Sequence, residues 1–173
     1  TEITLNEPIS LAFTNNDSLC ITDGFYDFEA QVSGPPNTFY EWDFGPNAST
    51  TSSTDLIISG IQFDTPGFHE IQLNGVHENC VDSISELIYV YAEPTIGFDF
   101  IDGLQCAPSL AQFINLSSVD GPAIYSWEFG DGSESDYFSP SHVYTDVGSY
   151  SVGLTVISLE GCEDTLYLMQ QDI

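Results

Sequence analysis

The sequence predicts an all-β chain made of two sandwich domains in tandem, and three observations carry that expectation. Short runs that alternate apolar and polar residues are separated by turn-forming residues. No stretch of ten or more residues combines helix periodicity with capping signals. The whole pattern also occurs twice, about 86 residues apart.

The clearest strand is GSYSVGLTVIS at 148–158, where Tyr150, Val152, Leu154 and Val156 alternate with Ser149, Ser151, Gly153 and Thr155. Period-two alternation puts one set on a buried face and the other toward water. Its counterpart GFHEIQLNGV places Ile71 and Leu73 inward. In chain order the other strand candidates are ITLN, ISLAF, DFEAQV, FYEWDF, LIIS, LIYVY, IGFDF, AQFINL, IYSWEF and LYLM. Turn chemistry separates them: SGPPN at 33–37, DTPG at 64–67, VDGP at 119–122 and GDGS at 130–133. Short strands at this spacing, in units of this length, predict β-sandwiches.

The repeat is traced by residue pairs in constant order. Glu7-Pro8 corresponds to Glu93-Pro94 and Cys20 to Cys106, each 86 apart. Trp42 and Gly45 correspond to Trp127 and Gly130 at 85, Phe63 and Gly67 to Tyr144 and Gly148 at 81, and Cys80 to Cys162 at 82. The drift of a few residues is what loop insertions and deletions produce. The expected domains are 8–92 and 93–173. TEITLNEP at the start resembles ELIYVYAEP at 86–94, so residues 1–7 read as the last strand of a preceding repeat or its substitute. The chain is thus expected to be a segment of a longer array, its domains joined nearly end to end by the short AEPT junction.

Charge narrows the function classes. The chain has 27 Asp and Glu, no Lys or Arg, and a formal net charge of −27. Nothing is available to neutralise phosphates, which excludes nucleic acid, and anionic membranes are excluded for the same reason. No lysine can form a Schiff base and no arginine can clamp a carboxylate. Such self-repulsion must be relieved by salt, divalent cations or wide spacing of the carboxylates, which suits a saline extracellular setting. No apolar run approaches the roughly 18 residues that span a bilayer, so membrane insertion is not expected.

Each repeat has two cysteines, 60 positions apart in the first and 56 in the second. That arithmetic gives one disulfide per domain, Cys20–Cys80 and Cys106–Cys162, with a bridge between domains as the less favoured alternative. Closing such a loop removes roughly 4 kcal/mol of unfolded-state entropy and implies an oxidising compartment. No CxxC or nearby His pair supports zinc.

Residues 125–156, YSWEFGDGSESDYFSPSHVYTDVGSYSVGLTV, resemble the signature of the polycystic kidney disease (PKD) domain family. That signature runs W-[DE]-F-G-D-G, P-x-H-x-Y, then G-x-Y-x-V-x-L-x-V. The second repeat matches at Trp127, Glu128, Phe129, Gly130, Asp131, Gly132, Pro140, His142, Tyr144, Gly148, Tyr150, Val152 and Leu154. The first repeat keeps Trp42, Asp43, Phe44 and Gly45 but departs at Pro46-Asn47, Ile61 and Gly75. The resemblance implies Ig-like sandwiches and a non-catalytic role. A Cys before the second strand and a GC-[ED]-D-T after the last core strand further resemble PKD repeats of giant Bacteroidetes surface proteins. Those are exported by the type IX system and act as adhesins, gliding proteins or appendages.

Each candidate for chemistry also has a framework role. Glu128, Asp131, Glu134 and Asp136 could gather as oxygen ligands for Ca2+, the one cofactor the sequence suggests. Alternatively Trp127 and Phe129 face the core and Gly130-Asp131-Gly132 makes the turn that follows; the loss of Asp-Gly at Pro46-Asn47 favours this second reading. His69, His77 and His142 accompany no HExxH and no Gly-x-Ser-x-Gly elbow, so no enzyme is expected. Asn47 and Asn115 head chance-level Asn-x-Ser sequences, while Ser18, Ser83 and Thr165 sit in Asp-Ser/Thr-apolar sequences that resemble a Bacteroidetes O-glycosylation sequon. Tyr137 and Phe138, beside the GDGS turn, could form a carbohydrate platform.

The leading expectation is a structural or adhesive segment of a large extracellular surface protein, with further repeats and sister chains as partners. The alternatives are an accessory module of a secreted hydrolase that binds a surface glycan or polymer, and a calcium-dependent ligand-binding module.

Overall fold

The computed structural model describes residues 7–15, 19–22, 24–101 and 107–172. Among them every regular element is a strand, and the chain divides into two compact units, Thr1–Ala92 and Glu93–Ile173. The expected strand ITLN lies outside the described residues.

Unit 1 contains β1 (Ser10–Asn15), β2 (Tyr26–Ser33), β3 (Phe39–Asp43), β4 (Ser52–Ser53), β5 (Ile57–Ile61), β6 (Gly67–His77) and β7 (Cys80–Val90). Unit 2 contains β8 (Phe98–Ile101), β9 (Ser109–Asn115), β10 (Ala123–Glu128), β11 (Glu134–Ser135), β12 (Ser141–Tyr144), β13 (Ser149–Ser158) and β14 (Glu163–Asp172). The sheets are β1-β2-β5 and β4-β3-β6-β7 in the first unit, and β8-β9-β12 and β11-β10-β13-β14 in the second. Element for element the topology is the same, and every pairing within these sheets is antiparallel. A three-stranded sheet opposed to a four-stranded one in this order is the Ig-like arrangement.

Alternation along the strands builds both cores. In β9, Ser109, Ala111, Phe113 and Asn115 point inward while Leu110, Gln112 and Ile114 point out. The space between sheets is filled mainly by aromatic rings, whose large area makes them strong contributors to burial. Trp42 lies 5.1 Å from Phe13, 5.8 Å from Phe28 and 5.5 Å from Phe44. Trp127 lies 5.0 Å from Phe98 and 5.5 Å from Phe113, which in turn lies 5.2 Å from Phe129.

Two strands run further than their apolar patterns predict. LIYVY and LYLM are parts of longer elements, because β7 pairs with β6 from Gly67↔Val90 to His77↔Cys80 and β14 reaches from Glu163 to Asp172. Their added residues are mostly polar, so hydrophobic periodicity could not find them, yet the backbone ladder continues. Gly75, an apparent departure from the family pattern, has a packing reason. A Cβ there would come within 2.9 Å of Ile9 Cγ2, and Ile9 is itself buried. Ile9 therefore occupies space that the counterpart Val156 fills with its own side chain in unit 2.

The expected Cys20–Cys80 bond is not formed. Cys80 starts β7 opposite His77 and carries a free, exposed thiol. Cys20 forms a parallel bridge with Tyr91, just past the other end of β7. Eleven strand residues at about 3.3 Å each separate the two by roughly 35 Å, whereas bonded cysteines have Cα atoms about 4.4–6.8 Å apart. Cys20 and Cys162 are both disulfide-bonded. Cys106, the expected partner of Cys162, lies outside the described residues.

Candidate functional site

The motif residues of unit 2 meet at one corner of the sandwich. β10 ends at Glu128, so Trp127 and Phe129 project into the core and the chain turns at Gly130-Asp131-Gly132. Gly130 has φ +81°, and a Cβ on it would lie 2.6 Å from Ser151 O and 2.8 Å from Ser151 N. Only glycine fits that approach and that dihedral. The turn closes through Phe129 N to Ser133 O at 3.0 Å and Ser133 N to Asp131 Oδ1 at 2.9 Å.

The other oxygen of Asp131 meets His142 Nε2 at 2.7 Å. The imidazole lies flat on Phe129, 4.4 Å between centroids and 1° between planes, with its other neighbour Tyr144 edge-on at 4.5 Å. Tyr144 is fully buried and donates its hydroxyl to Phe129 O at 3.0 Å. Tyr150 packs on Tyr144 at 4.3 Å and donates to Asp146 O at 2.9 Å. Trp127 Nε1 donates to Tyr137 O at 3.0 Å. Every side-chain donor of the aromatic motif residues therefore has a backbone carbonyl as its acceptor.

The electrostatics are those of a satisfied structural corner. Burial pushes the Asp131 carboxyl up, but the Ser133 N–H and His142 outweigh it and hold the group below the usual carboxylate range. Burial, with smaller contributions from Asp131 and Tyr150, pushes the Tyr144 hydroxyl far above the ordinary tyrosine range, so it stays a donor. Outside this corner, the Tyr167 hydroxyl donates to Glu128 Oε2 at 3.0 Å, and that bond and the adjacent charge raise its pKa.

The four carboxylates suggested for calcium do not converge. No three of Glu128, Asp131, Glu134 and Asp136 bring oxygens within 4.8 Å of one another. Glu128 is bonded to Tyr167 and Asp131 to Ser133 and His142. Glu128 and Glu134 stand opposite each other in the β10–β11 pair, whereas Asp131 is turned into the corner against Ser133 and His142.

In unit 1 the same corner is assembled from different residues. Gly45 has φ +79° but nothing would lie within 4 Å of an added Cβ, and its N–H is bonded to Asp43 Oδ1 at 2.9 Å. Trp42 Nε1 donates to Asp55 O at 2.8 Å, and Phe44 N donates to Thr51 O at 2.9 Å. Phe63 stands where unit 2 has Tyr144, and buried His69 stands where it has Tyr150. His69 packs on Phe63 at 4.4 Å and its Nε2 meets Thr65 O at 2.8 Å. Thr65 corresponds to Asp146, so the ring-to-carbonyl bond persists although the ring has changed.

Of the other candidates, Ser83 and Thr165 are exposed on β7 and β14, with their N–H groups bonded to Asp82 and Asp164 at 3.0 and 2.7 Å. Both are strand residues. Ser18 lies outside the described residues. Tyr137 and Phe138 are exposed, and Phe138 stands edge-on to Tyr125 at 5.0 Å. One polar anchor escaped the sequence reading. Tyr26, buried on β2, accepts Leu19 N–H at 2.9 Å and donates to Tyr89 O at 3.0 Å. Its counterpart is Ala111, so the repeat itself could not flag it.

Residues 95–169 match the family model of the PKD domain. Over 50 residues, 28% of the chain, the sequence is 46% identical to the pre-pro-metalloprotease PrtV of Vibrio cholerae. Over 47 residues, 27% of the chain, it is 49% identical to collagenase ColA of Bacillus cereus. The matching stretch spans only 5% of each of those proteins. Among solved structures, the PKD1 domain of Vibrio cholerae metalloprotease PrtV is 35% identical with a TM-score of 0.40, covering 47% of this chain and 99% of its own. Extracellular domains 3–5 of Drosophila OTK give a TM-score of 0.52 at 10% identity, covering 92% of this chain and 61% of theirs, a likeness of fold alone.

Proposed function

The chain belongs to the PKD-domain family through its second unit, and from that premise we propose that it is a non-catalytic structural segment of a larger extracellular protein. One observation carries this reading. The residues that define the motif, Trp127, Asp131, His142, Tyr144 and Tyr150, are all engaged with core or backbone, leaving none directed at a ligand. The same seven-strand frame recurs in unit 1, where most of the polar motif residues have been replaced. What the two units share is therefore a mechanical element: a seven-strand sandwich filled with aromatic rings that positions whatever the parent protein carries beyond it. In its finer form, the parent is a large surface protein of the type IX-exported Bacteroidetes kind, which the placement of the cysteines supports. Lateral association with sister chains would rely on apolar, polar or cation-bridged contacts, because the sequence has no Lys or Arg.

A second reading has its own support. The relatives include a metalloprotease and a collagenase, and Tyr137 and Phe138 present exposed rings beside the motif turn. In that case the chain is an accessory module that holds a polymer near a catalytic domain. Co-sedimentation separates the two. The purified two-unit chain is mixed with insoluble chitin, cellulose or collagen and centrifuged. The structural reading predicts that it stays in the supernatant. Pelleting that is lost in the Tyr137→Ala/Phe138→Ala variant would overturn it in favour of the accessory reading.

A further inference from the structure

The corner that is closed in unit 2 is open in unit 1. The ladder of β10 and β13 ends at Glu128↔Gly153, and the next facing residues, Gly130 and Ser151, are pressed together. The ladder of β3 and β6 ends at Asp43↔Gln72, which makes Gly45 and Glu70 their equivalents, yet Gly45 has open space where a Cβ would stand. Asp43 Oδ1 takes the Gly45 N–H at 2.9 Å, so the turn is tied back to the end of its own strand. Between turn and strand lies a cleft of about 310 Å³, lined by Asp43, Gly45 and Asn47 on one side and by Phe68, Glu70 and Gln72 on the other. Phe68, Glu70 and Gln72 alternate with buried His69 and Ile71, so they share the outer face of β6, and Asp43 shares it from β3 opposite Gln72. The Phe68 ring is 73% exposed and is braced edge-on by Tyr89 at 4.8 Å. Among the described residues Glu70 has no hydrogen-bond partner and Asp43 has none besides Gly45. The equivalent carboxylate of unit 2, Glu128, does have a donor, the Tyr167 hydroxyl, delivered from a strand position that Ser85 holds in unit 1.

We propose that this cleft is a docking site for an arginine side chain of a partner protein. Asp43 and Glu70 are diagonal neighbours on one sheet face, a relation that sets residues about 7–8 Å apart. One guanidinium can donate to a carboxylate on each side while its plane rests on the Phe68 ring. A lysine ammonium is a compact point donor and cannot do both at once. A cleft lined by one sign of charge concentrates its field on an incoming cation and repels anions. The chain has no Lys or Arg of its own to fill the cleft, and for the same reason the partner is not another copy of these units. The site goes beyond the structural role: it gives an acidic segment one charge-selected point of attachment, in the unit whose corner has lost its closing contact.

The test is a titration of the 15N-labelled two-unit chain, at physiological ionic strength, with blocked tripeptides that carry arginine, lysine or the neutral isostere citrulline between two glycines. With the arginine peptide, the amide signals of Gly45, Glu70 and Gln72 should shift and saturate. The lysine peptide should bind at least roughly threefold more weakly, and the citrulline peptide should leave those signals in place. Phe68→Ala should weaken arginine binding by roughly two- to fivefold, and Asp43→Asn with Glu70→Gln by roughly tenfold or more. These exposed substitutions preserve side-chain size at the two carboxylates, the same spectra show that each variant is folded, and the peptide series needs no variant at all. Shifts that never saturate, or that appear equally at Glu128, Gly130 and Ser151, would overturn the proposal in favour of diffuse attraction to the charged surface. Lysine or citrulline binding as tightly as arginine would overturn it too. So would shifts of the same amides by cellotetraose or chitotetraose but not by arginine, which would make the cleft a glycan site and favour the accessory reading; the other failures leave the structural reading intact.

Discussion

The corner after the third strand is built differently in the two units. In unit 2, Asp131, His142 and Tyr144 tie the turn to the neighbouring strand through two polar bonds of 2.7 and 3.0 Å. In unit 1 the same positions hold Pro46, Ile61 and Phe63, and the turn is held by Gly45 N to Asp43 Oδ1 and by backbone pairing. Trp, Phe and Gly persist in both. The difference separates what the fold requires, which is buried rings and a positive-φ glycine, from what fastens one copy more firmly.

The largest expected effect tests the shared part. Trp42→Ala and Trp127→Ala should each destabilise their own unit by about 3–5 kcal/mol, because each leaves a large cavity among aromatic rings. Urea unfolding followed by circular dichroism checks this, and a loss below about 1 kcal/mol in either unit breaks the equivalence.

Next comes the glycine. Gly130→Ala should cost about 2–5 kcal/mol, adding a backbone clash with Ser151 to the left-handed strain, while Gly45→Ala should cost only the strain, about 1–2 kcal/mol. Equal costs would mean that the close approach in unit 2 is unimportant.

Tyr144→Phe makes unit 2 resemble unit 1 and leaves Phe129 O without its bond, for an expected loss of about 1–2 kcal/mol. The reporter can be clean because the chain has two tryptophans, one in each core. Replacing Trp42 by Phe leaves fluorescence that follows unit 2, and replacing Trp127 leaves fluorescence that follows unit 1.

The smallest effect is electrostatic. Asp131 is held below the usual carboxylate range in the folded state, so its contribution is fully present above the unfolded value of about 3.9 and is lost as pH falls through the folded value. Partial exposure limits the contribution to no more than about 1 kcal/mol. Asp131→Asn should remove this acid-dependent part from unit 2 and leave unit 1 unchanged, as read by paired pH titrations of stability on the two reporter chains.

Much of this frame was legible in the sequence, for reasons that local patterns encode. Alternation in β13 and the paired Trp and Gly positions specify buried faces and a tight turn without reference to the rest of the chain. The polar tails of β7 and β14 were not legible, since their pairing is dictated by β6 and β13 and not by hydrophobicity. Nor could spacing reveal the cysteine partners: two cysteines per repeat fit the arithmetic of one bond per unit, but Cys20 and Cys80 sit at opposite ends of the same strand. The substitution of His69 for Tyr150 looked like a scattered histidine and is instead the same ring-to-carbonyl contact in other chemistry.

The central claim is that the Trp-Glu-Phe-Gly-Asp-Gly corner is framework and not a cation site. It is tested most directly by the melting temperatures of the two reporter chains in EDTA and in millimolar calcium, at matched ionic strength. With a net charge of −27, calcium should raise both units alike by diffuse association with carboxylates spread over the surface. An equal shift in units 1 and 2, unaffected by Asp131→Asn, is the predicted result. A calcium shift confined to unit 2 and abolished by Asp131→Asn would contradict it.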